Sequence, residues 1–166
     1  MRPPPRASRG LAALAGFVGL CLLTGIAAST IMPGALRHWY VTLHAPPLTP
    51  PPFVFAPAWT LLYGLMGIAA WLIWRRQWSE ETARPALRLW GWQLALNAAW
   101  TPAFFGLRNP PLGMLVIIAL LVLIVLTVLA FRPISRLAAG LMLPYLAWTG
   151  FAAYLNAGFW WLNRGG

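Results

Sequence analysis

The chain has 166 residues, of which 60% are hydrophobic and 8% are charged, and its formal net charge is +10. Soluble domains average about 25% charged residues, so this composition excludes a soluble enzyme and predicts a membrane protein. The eleven tryptophans exclude a disordered chain, because disordered segments are poor in aromatic residues. All the positive charges are arginines in short runs between long apolar stretches. That pattern is typical of membrane topology, and we expect no nucleic-acid partner.

Five apolar segments are long enough to cross a bilayer, since a membrane-spanning helix needs about twenty apolar residues. The sequence therefore predicts an all-α, polytopic membrane protein built as a five-transmembrane-helix bundle. Residues 11–161 form a single membrane domain, with short tails at residues 1–10 and 162–166. The first segment has features of a signal peptide, but its length favours a retained span. The predicted spans are residues 11–32, 53–74, 85–106, 112–131 and 137–161.

The distribution of arginines predicts the orientation. Nine arginines lie on the side of the N-terminus and three lie on the opposite side. By the positive-inside rule, the N-terminus is cytoplasmic and the C-terminus is periplasmic, and long helical spans favour a bacterial inner membrane over an outer one. The first group is Arg2, Arg6, Arg9, Arg75, Arg76, Arg84, Arg88, Arg132 and Arg136, and the second is Arg37, Arg108 and Arg164.

The first external connection, residues 33–52, is long and rich in proline. The other connections are short, and a long loop among short ones is usually functional or disordered. Because proline restricts the backbone, we expect a stiff lid over the outer end of the bundle.

Trp59, Trp100 and Trp148 lie well inside the predicted spans, whereas the other tryptophans lie near span ends, where indole rings prefer the interface. Helical spacing places polar and aromatic residues on the same faces as these three rings. One interpretation is aromatic packing with hydrogen bonds between helices. The other, which we favour for the whole set, is a pocket for an apolar ligand. The faces are Phe55, Trp59, Tyr63 and Met66; Gln93, Asn97, Trp100 and Thr101; and Tyr145, Trp148, Ala152 and Asn156.

A second pattern in the third span consists of Gly91, Ala95 and Ala99 at four-residue intervals. This small-residue ridge faces away from Gln93 and Asn97, and small residues allow close approach between membrane helices. We expect a homodimer packed along this ridge; the alternative is a contact with another helix of the same chain.

Several kinds of chemistry are not supported. No charged residue lies well inside a span, which argues against ion-coupled transport. The sequence has no nucleophile and base pair, phosphate loop or HExxH motif. Two loop histidines, His38 and His44, are too weak a pattern for a metal site. We therefore expect no metal and no required cofactor.

Longer motifs lie in the loop and in three spans. They are Trp39-Tyr40 with Pro46 and Thr49-Pro50-Pro51, Phe55-x-Pro57-x-Trp59-Thr60-x-x-Tyr63, Gln93-Leu94-x-Leu96-Asn97-x-x-Trp100-x-x-x-Phe104-Phe105, and Leu143-Pro144-Tyr145-x-x-Trp148-x-x-Phe151-Ala152. In these motifs the chain resembles the translocator protein family, also called TspO/MBR or peripheral-type benzodiazepine receptors.

The resemblance implies a five-helix membrane fold, usually dimeric, with a ligand pocket beneath the first loop. The implied ligands are porphyrins, particularly protoporphyrin IX, and isoquinoline carboxamide or benzodiazepine-type compounds. Carried over residue by residue, the ligand-binding positions are Tyr40, Pro50, Trp59, Asn97, Trp100, Trp148 and Ala152.

We therefore expect a tetrapyrrole-binding sensor or receptor. One alternative implied by the resemblance is a light- and oxygen-dependent porphyrin-degrading enzyme, in which Trp59 and Trp148 take part. Another is a passive transporter of porphyrin or lipid. Leu48 stands where the family often has a tryptophan, and Tyr154 is followed by arginine only at Arg164, so sterol recognition is not expected.

Overall fold

A computed structural model describes residues 7–77 and 81–164, and within these ranges the chain is helical and contains no strand. The predicted all-α class is confirmed for this part. Most of the two predicted tails, residues 1–6 and 165–166, lies outside it. The helices are α1 (Ala7–His38), α2 (Phe55–Trp74), α3 (Ala83–Thr101), α4 (Pro110–Phe131), α5 (Arg136–Leu141) and α6 (Leu143–Leu162), with short 3₁₀ turns at Tyr40–Thr42 and Pro52–Val54 and a π-helical turn at Pro102–Gly106.

Four helical stretches are long and apolar enough to cross a membrane, so the chain is a polytopic integral membrane protein. Helix α3 is more polar, because Arg84 and Arg88 lie in its first turns and Gln93 and Asn97 lie in its middle. Both carboxamide side chains are buried within the chain. The four stretches are Arg9–Thr30, Pro52–Trp74, Pro110–Phe131 and Arg136–Leu162.

Helix α1 is longer than predicted and ends at His38, six residues beyond the expected end of the span at residue 32. The loop therefore begins at Trp39. Pro33 lies inside this helix, although proline lacks the N–H that would bond to the Ser29 carbonyl oxygen. The hydroxyls of Ser29 and Thr30 donate to the carbonyl oxygens of Ile26 and Ala27, each at 2.7 Å.

Two of the predicted spans contain a break in the α-helical pattern. The fifth is divided at Met142 into α5 and α6, and Pro144 lies in the first turn of α6, where its missing N–H costs nothing. The third ends in a π-helical turn, in which the Leu107 N–H donates to the Pro102 carbonyl oxygen at 2.8 Å. Proline explains both breaks, since it cannot continue an α-helical hydrogen-bond ladder.

Helices α1 and α2 approach each other closely at Gly67. A Cβ atom at this position would lie 2.6 Å from Cα of Val18, so only glycine allows the contact. The Trp71 indole Nε1 donates to the Gly10 carbonyl oxygen at 2.8 Å and ties the first turns of α1 to the end of α2. Together these contacts fix α2, which carries Trp59 and Tyr63, against the first helix.

Candidate functional site

Asn97 is the centre of a buried polar cluster that joins three helices. Its side-chain oxygen Oδ1 accepts a hydrogen bond from the Tyr63 hydroxyl at 2.8 Å, and its Nδ2 donates to the Tyr145 hydroxyl oxygen at 3.1 Å. Tyr63 belongs to α2, Asn97 to α3 and Tyr145 to α6, and all three side chains are buried. Hydrogen bonds of this kind satisfy polar groups that water cannot reach.

Trp59 covers this cluster with its indole ring. It stacks on Tyr63 with ring centroids 5.4 Å apart and meets Tyr145 edge to face at 6.3 Å. Trp59 lies one helical turn before Tyr63, so the stack follows directly from the helical repeat of α2. Flat rings from two helices therefore surround a single carboxamide.

Trp100 belongs to a second aromatic cluster, nearer the ends of α3 and α6. Its ring stacks on Phe104 at 5.6 Å and meets Phe105 edge to face at 5.9 Å. The indole Nε1 donates to Oδ1 of Asn156 at 3.2 Å, and Nδ2 of Asn156 donates to the Pro110 carbonyl oxygen at 2.8 Å. Asn156 thus links α3, the beginning of α4 and α6.

Trp148 lies between the two clusters. Its ring meets Phe55 edge to face at 6.0 Å and packs against Phe151 at 5.9 Å. Phe55 and Phe151 also pack against the second cluster, so the two clusters adjoin. The aromatic residues form one continuous band across the helices.

Tyr40 brings the loop into this band. Its ring lies 4.8 Å from Phe159 and 5.7 Å from Phe105. Burial raises the pKa of Tyr40 to about 12, so its hydroxyl stays protonated and able to donate a hydrogen bond at neutral pH.

The loop is also attached to the last helix by polar contacts. The Tyr154 hydroxyl donates to the Pro47 carbonyl oxygen at 3.0 Å. Pro46 is buried over Gly158, where an added Cβ would lie 2.5 Å from the proline Cβ. Asn163, just after α6, exchanges two hydrogen bonds with the backbone of His44. The first part of the loop, from Tyr40 to Pro47, is therefore attached to α6.

The rings of the band are in direct contact with one another. Two hollows on the described surface lie elsewhere, one of about 410 Å³ beside Arg132 and Arg136 and another along Leu121 and Val125.

The structure brings together some of the predicted ligand positions more closely than others. Trp59, Asn97 and Trp148 belong to the first cluster or pack against it, and Tyr40 and Trp100 pack in the second. Ala152 packs with Trp100 beside α4, and Pro50 is half-buried in the loop. The hydrogen-bond partners Tyr63, Tyr145 and Asn156 also belong to the site. Helical spacing placed them on the predicted inward faces but did not assign them as ligand-binding positions.

Among the residues that the structure describes, no other helix covers the small-residue ridge of α3. Ala95 and Ala99 are exposed, and a Cβ added at Gly91 would meet no atom within 4 Å. Contact with a helix of the same chain, one of the two predicted uses of the ridge, is therefore absent among the described residues.

The comparison with known proteins identifies the family. The model of the TspO/MBR family matches residues 17–162. The chain belongs to the TspO/MBR family. The resemblance inferred from the motifs is thus confirmed, and all of the predicted ligand positions lie inside the matched part.

Individual relatives of this TspO/MBR chain come from distant organisms. The chain is 41% identical over 143 residues to the tryptophan-rich protein TspO of Chlorobaculum tepidum, covering 86% of this chain and 90% of the relative. It is 40% identical over 152 residues to the translocator protein of Sus scrofa, with 90% and 89% covered. The protein CrtK of Rhodobacter capsulatus is 36% identical over 145 residues, with 87% and 89% covered.

Proposed function

We propose that this TspO/MBR family member is a membrane receptor that binds a tetrapyrrole such as protoporphyrin IX within the aromatic band. The observation that carries the proposal is the cluster around Asn97, in which two tyrosine hydroxyls bond one carboxamide and Trp59 stacks beside them. Flat rings with a few fixed polar groups are the features of a site for a flat apolar ligand. Isoquinoline carboxamide and benzodiazepine-type compounds are expected to bind the same site.

Stacking and burial supply the binding energy. Each aromatic pair contributes about 0.5–1.5 kcal/mol beyond the burial of apolar area. Trp59, Trp100 and Trp148 lie along the band and offer three such faces. Because the rings now touch one another, part of this energy is spent in separating them, and we expect binding to include a rearrangement of the loop and the rings.

Quenching of tryptophan fluorescence by protoporphyrin IX tests the proposal. Trp148→Ala and Asn97→Ala are expected to weaken binding about ten-fold, a loss of about 1.4 kcal/mol. Trp92→Phe is the matched control, because Trp92 also belongs to α3 but its side chain is 67% exposed on the surface of the bundle. Equal affinity in the wild type and in both site variants would reject the proposed site.

A second candidate function is light-dependent oxidation of the bound pigment by oxygen. Its support is the direct contact of Trp59 with two tyrosines, which gives a chain of oxidisable rings beside the proposed ligand. Illumination of the complex in air, with wild type, Trp59→Phe and the Trp92→Phe control, separates the two functions. Loss of porphyrin absorbance no faster than for free pigment would exclude catalysis.

We also propose that α3 crosses the membrane, which makes five spans. The 19 residues of α3 continue directly into a π-helical turn of 5 residues, which together are long enough for the hydrocarbon layer. The arginine distribution supports a cytoplasmic N-terminus and a periplasmic C-terminus in a bacterial inner membrane. Alkaline phosphatase fused after Arg164 should then be active, whereas the same fusion after Gln77 should be inactive.

The exposed ridge of α3 supports a homodimer. Gly91, Ala95 and Ala99 present little side-chain volume, so a second copy of the chain could approach closely. Light scattering of the Ala95→Leu and Ala99→Leu double variant tests this interface.

A further inference from the structure

Gln93 is a polar residue in the core whose hydrogen-bonding capacity is unused. The side chain is 0% exposed, and neither Nε2 nor Oε1 has a hydrogen-bond partner among the residues that the structure describes. Trp90, one turn earlier on the same face of α3, is 4% exposed, and its indole Nε1 also has no partner there. A carboxamide and an indole N–H thus lie together without partners inside the bundle.

An unpartnered carboxamide in the core is costly, because it loses its hydrogen bonds to water and gains none in return. A methionine side chain would fill a similar volume without that cost. An occupant that supplies the missing partners would remove this cost.

The neighbouring polar residue does not supply them. Asn97 lies one turn after Gln93 on the same helix face, but its side-chain hydrogen bonds go to Tyr63 and Tyr145. Asn97 bonds Tyr63, on which Trp59 stacks, so Gln93 lies one helical turn along α3 from the cluster that carries the proposed ligand site. We call Gln93 and Trp90 the polar floor of that site.

The donors and acceptor of Gln93 and Trp90 determine which ligand group the polar floor can bind. Gln93 offers two N–H donors and one carbonyl acceptor, and Trp90 offers one further donor. The buried polar side chains in the described part of the chain are all uncharged, so a carboxylate would have no counter-charge there. The group that complements the floor is neutral and presents a donor and an acceptor side by side, as a carboxamide does.

We propose that Gln93, with Trp90, is a specificity-determining site that binds a neutral carboxamide-like group at the buried end of a carboxamide ligand. The inference rests on the proposed ligand site and extends it to ligands other than protoporphyrin IX, which has no carboxamide. A site built to bond an N–H group discriminates strongly against an analogue that lacks it.

Two probes of equal shape test the proposal in the full-length purified protein. The first is 2-naphthamide, and the second is methyl 2-naphthyl ketone, which keeps the carbonyl and replaces the NH₂ by a methyl group. The wild type is expected to bind the amide about ten-fold more tightly, and Gln93→Met is expected to abolish the preference. Leu94→Met, also buried, is the matched control and should keep the preference.

Melting temperature without ligand provides a second readout. Gln93→Met is expected to raise it, because an unpartnered amide is replaced by an apolar chain. A lower melting temperature would show that Gln93 has internal partners and a structural role, and would overturn the proposal. An unchanged amide preference in Gln93→Met would do the same.

Nuclear magnetic resonance keeps the proposal testable should the variant fail to fold. In the wild type labelled with ¹⁵N, the side-chain NH₂ signal of Gln93 should shift with 2-naphthamide and much less with the ketone. Equal shifts would contradict the assignment. Failure of the tetrapyrrole proposal is seen separately, because it appears as equal protoporphyrin IX affinity in wild type and Trp148→Ala, whatever the amide preference.

Discussion

Asn163 and His44 hold each other through hydrogen bonds in both directions. The His44 backbone N–H donates to Oδ1 of Asn163 at 2.8 Å, and Nδ2 of Asn163 donates to the His44 carbonyl oxygen at 3.0 Å. The same Nδ2 also donates to the Phe159 carbonyl oxygen at 2.8 Å. The Asn163 side chain therefore attaches the loop to the end of α6 by hydrogen bonds to the backbone of His44.

Asn163→Ala is expected to loosen this attachment. Each exposed hydrogen bond contributes about 1 kcal/mol, so the amide of His44 should exchange with deuterium about five- to ten-fold faster. Hydrogen exchange followed by mass spectrometry over residues 39–51 measures the effect. Asn109→Ala is the control, because it removes a helix cap at α4 and leaves the loop contacts intact. Unchanged exchange at His44 would show that Asn163 does not hold the loop.

Gly158→Ala and Gly150→Ala are expected to have opposite effects on stability. A Cβ at position 158 would lie 2.5 Å from Cβ of Pro46, whereas one at position 150 would meet nothing within 4 Å. Overpacking at the first site should cost about 1–3 kcal/mol. The second change should stabilise α6 by about 0.5–1 kcal/mol, because alanine favours a helix over glycine. Thermal unfolding in detergent measures both, and equal shifts would contradict the close contact.

Tyr145→Phe removes the acceptor of the Asn97 Nδ2 hydrogen bond, and Tyr63→Phe removes the donor to Asn97 Oδ1. Each change leaves a buried polar atom without its partner and should destabilise the protein by about 1 kcal/mol. Tyr154→Phe removes an exposed hydroxyl and should have a smaller effect on unfolding. The measurement is the melting temperature of each variant, and a Tyr145→Phe protein more stable than the wild type would refute the cluster.

The double change Ala95→Leu and Ala99→Leu is expected to disrupt the proposed dimer, because two branched side chains would separate the approaching backbones. Light scattering of the detergent-solubilised protein should then give the mass of a monomer. Ala147→Leu, an exposed alanine on α6, is the control and should leave the mass unchanged. A dimeric mass in the double variant would exclude this ridge as the interface.

Much of the fold could be predicted because bilayer thickness fixes the length of each apolar segment. What the sequence did not reveal were the local effects of proline. Pro33 lies within α1, where the helix continues to His38, whereas Pro144 follows the break at Met142 and Pro102 begins a π-helical turn. The same residue type can lie within a helix or at a break, and a single sequence does not specify which.

The candidate site was partly predictable for a similar reason. Helical spacing placed Trp59, Asn97 and Trp148 on inward faces, since residues three or four apart share a side. Spacing does not determine which polar atoms meet across helices. The hydrogen bonds of Asn97 with Tyr63 and Tyr145 could therefore be identified only from the structure. It also gave no indication that the rings would pack directly against one another.

The bond from Asn156 to the Pro110 carbonyl oxygen has a consequence for insertions and deletions. Surface connections usually tolerate added residues, because nothing depends on their length. Here the segment from Leu107 to Asn109 determines where α4 begins and therefore where that carbonyl oxygen meets α6. One added residue would move the Pro110 carbonyl oxygen away from Asn156 and disturb the hydrogen bond between Asn156 and Trp100. The length of this short connection therefore determines how α4 meets α6.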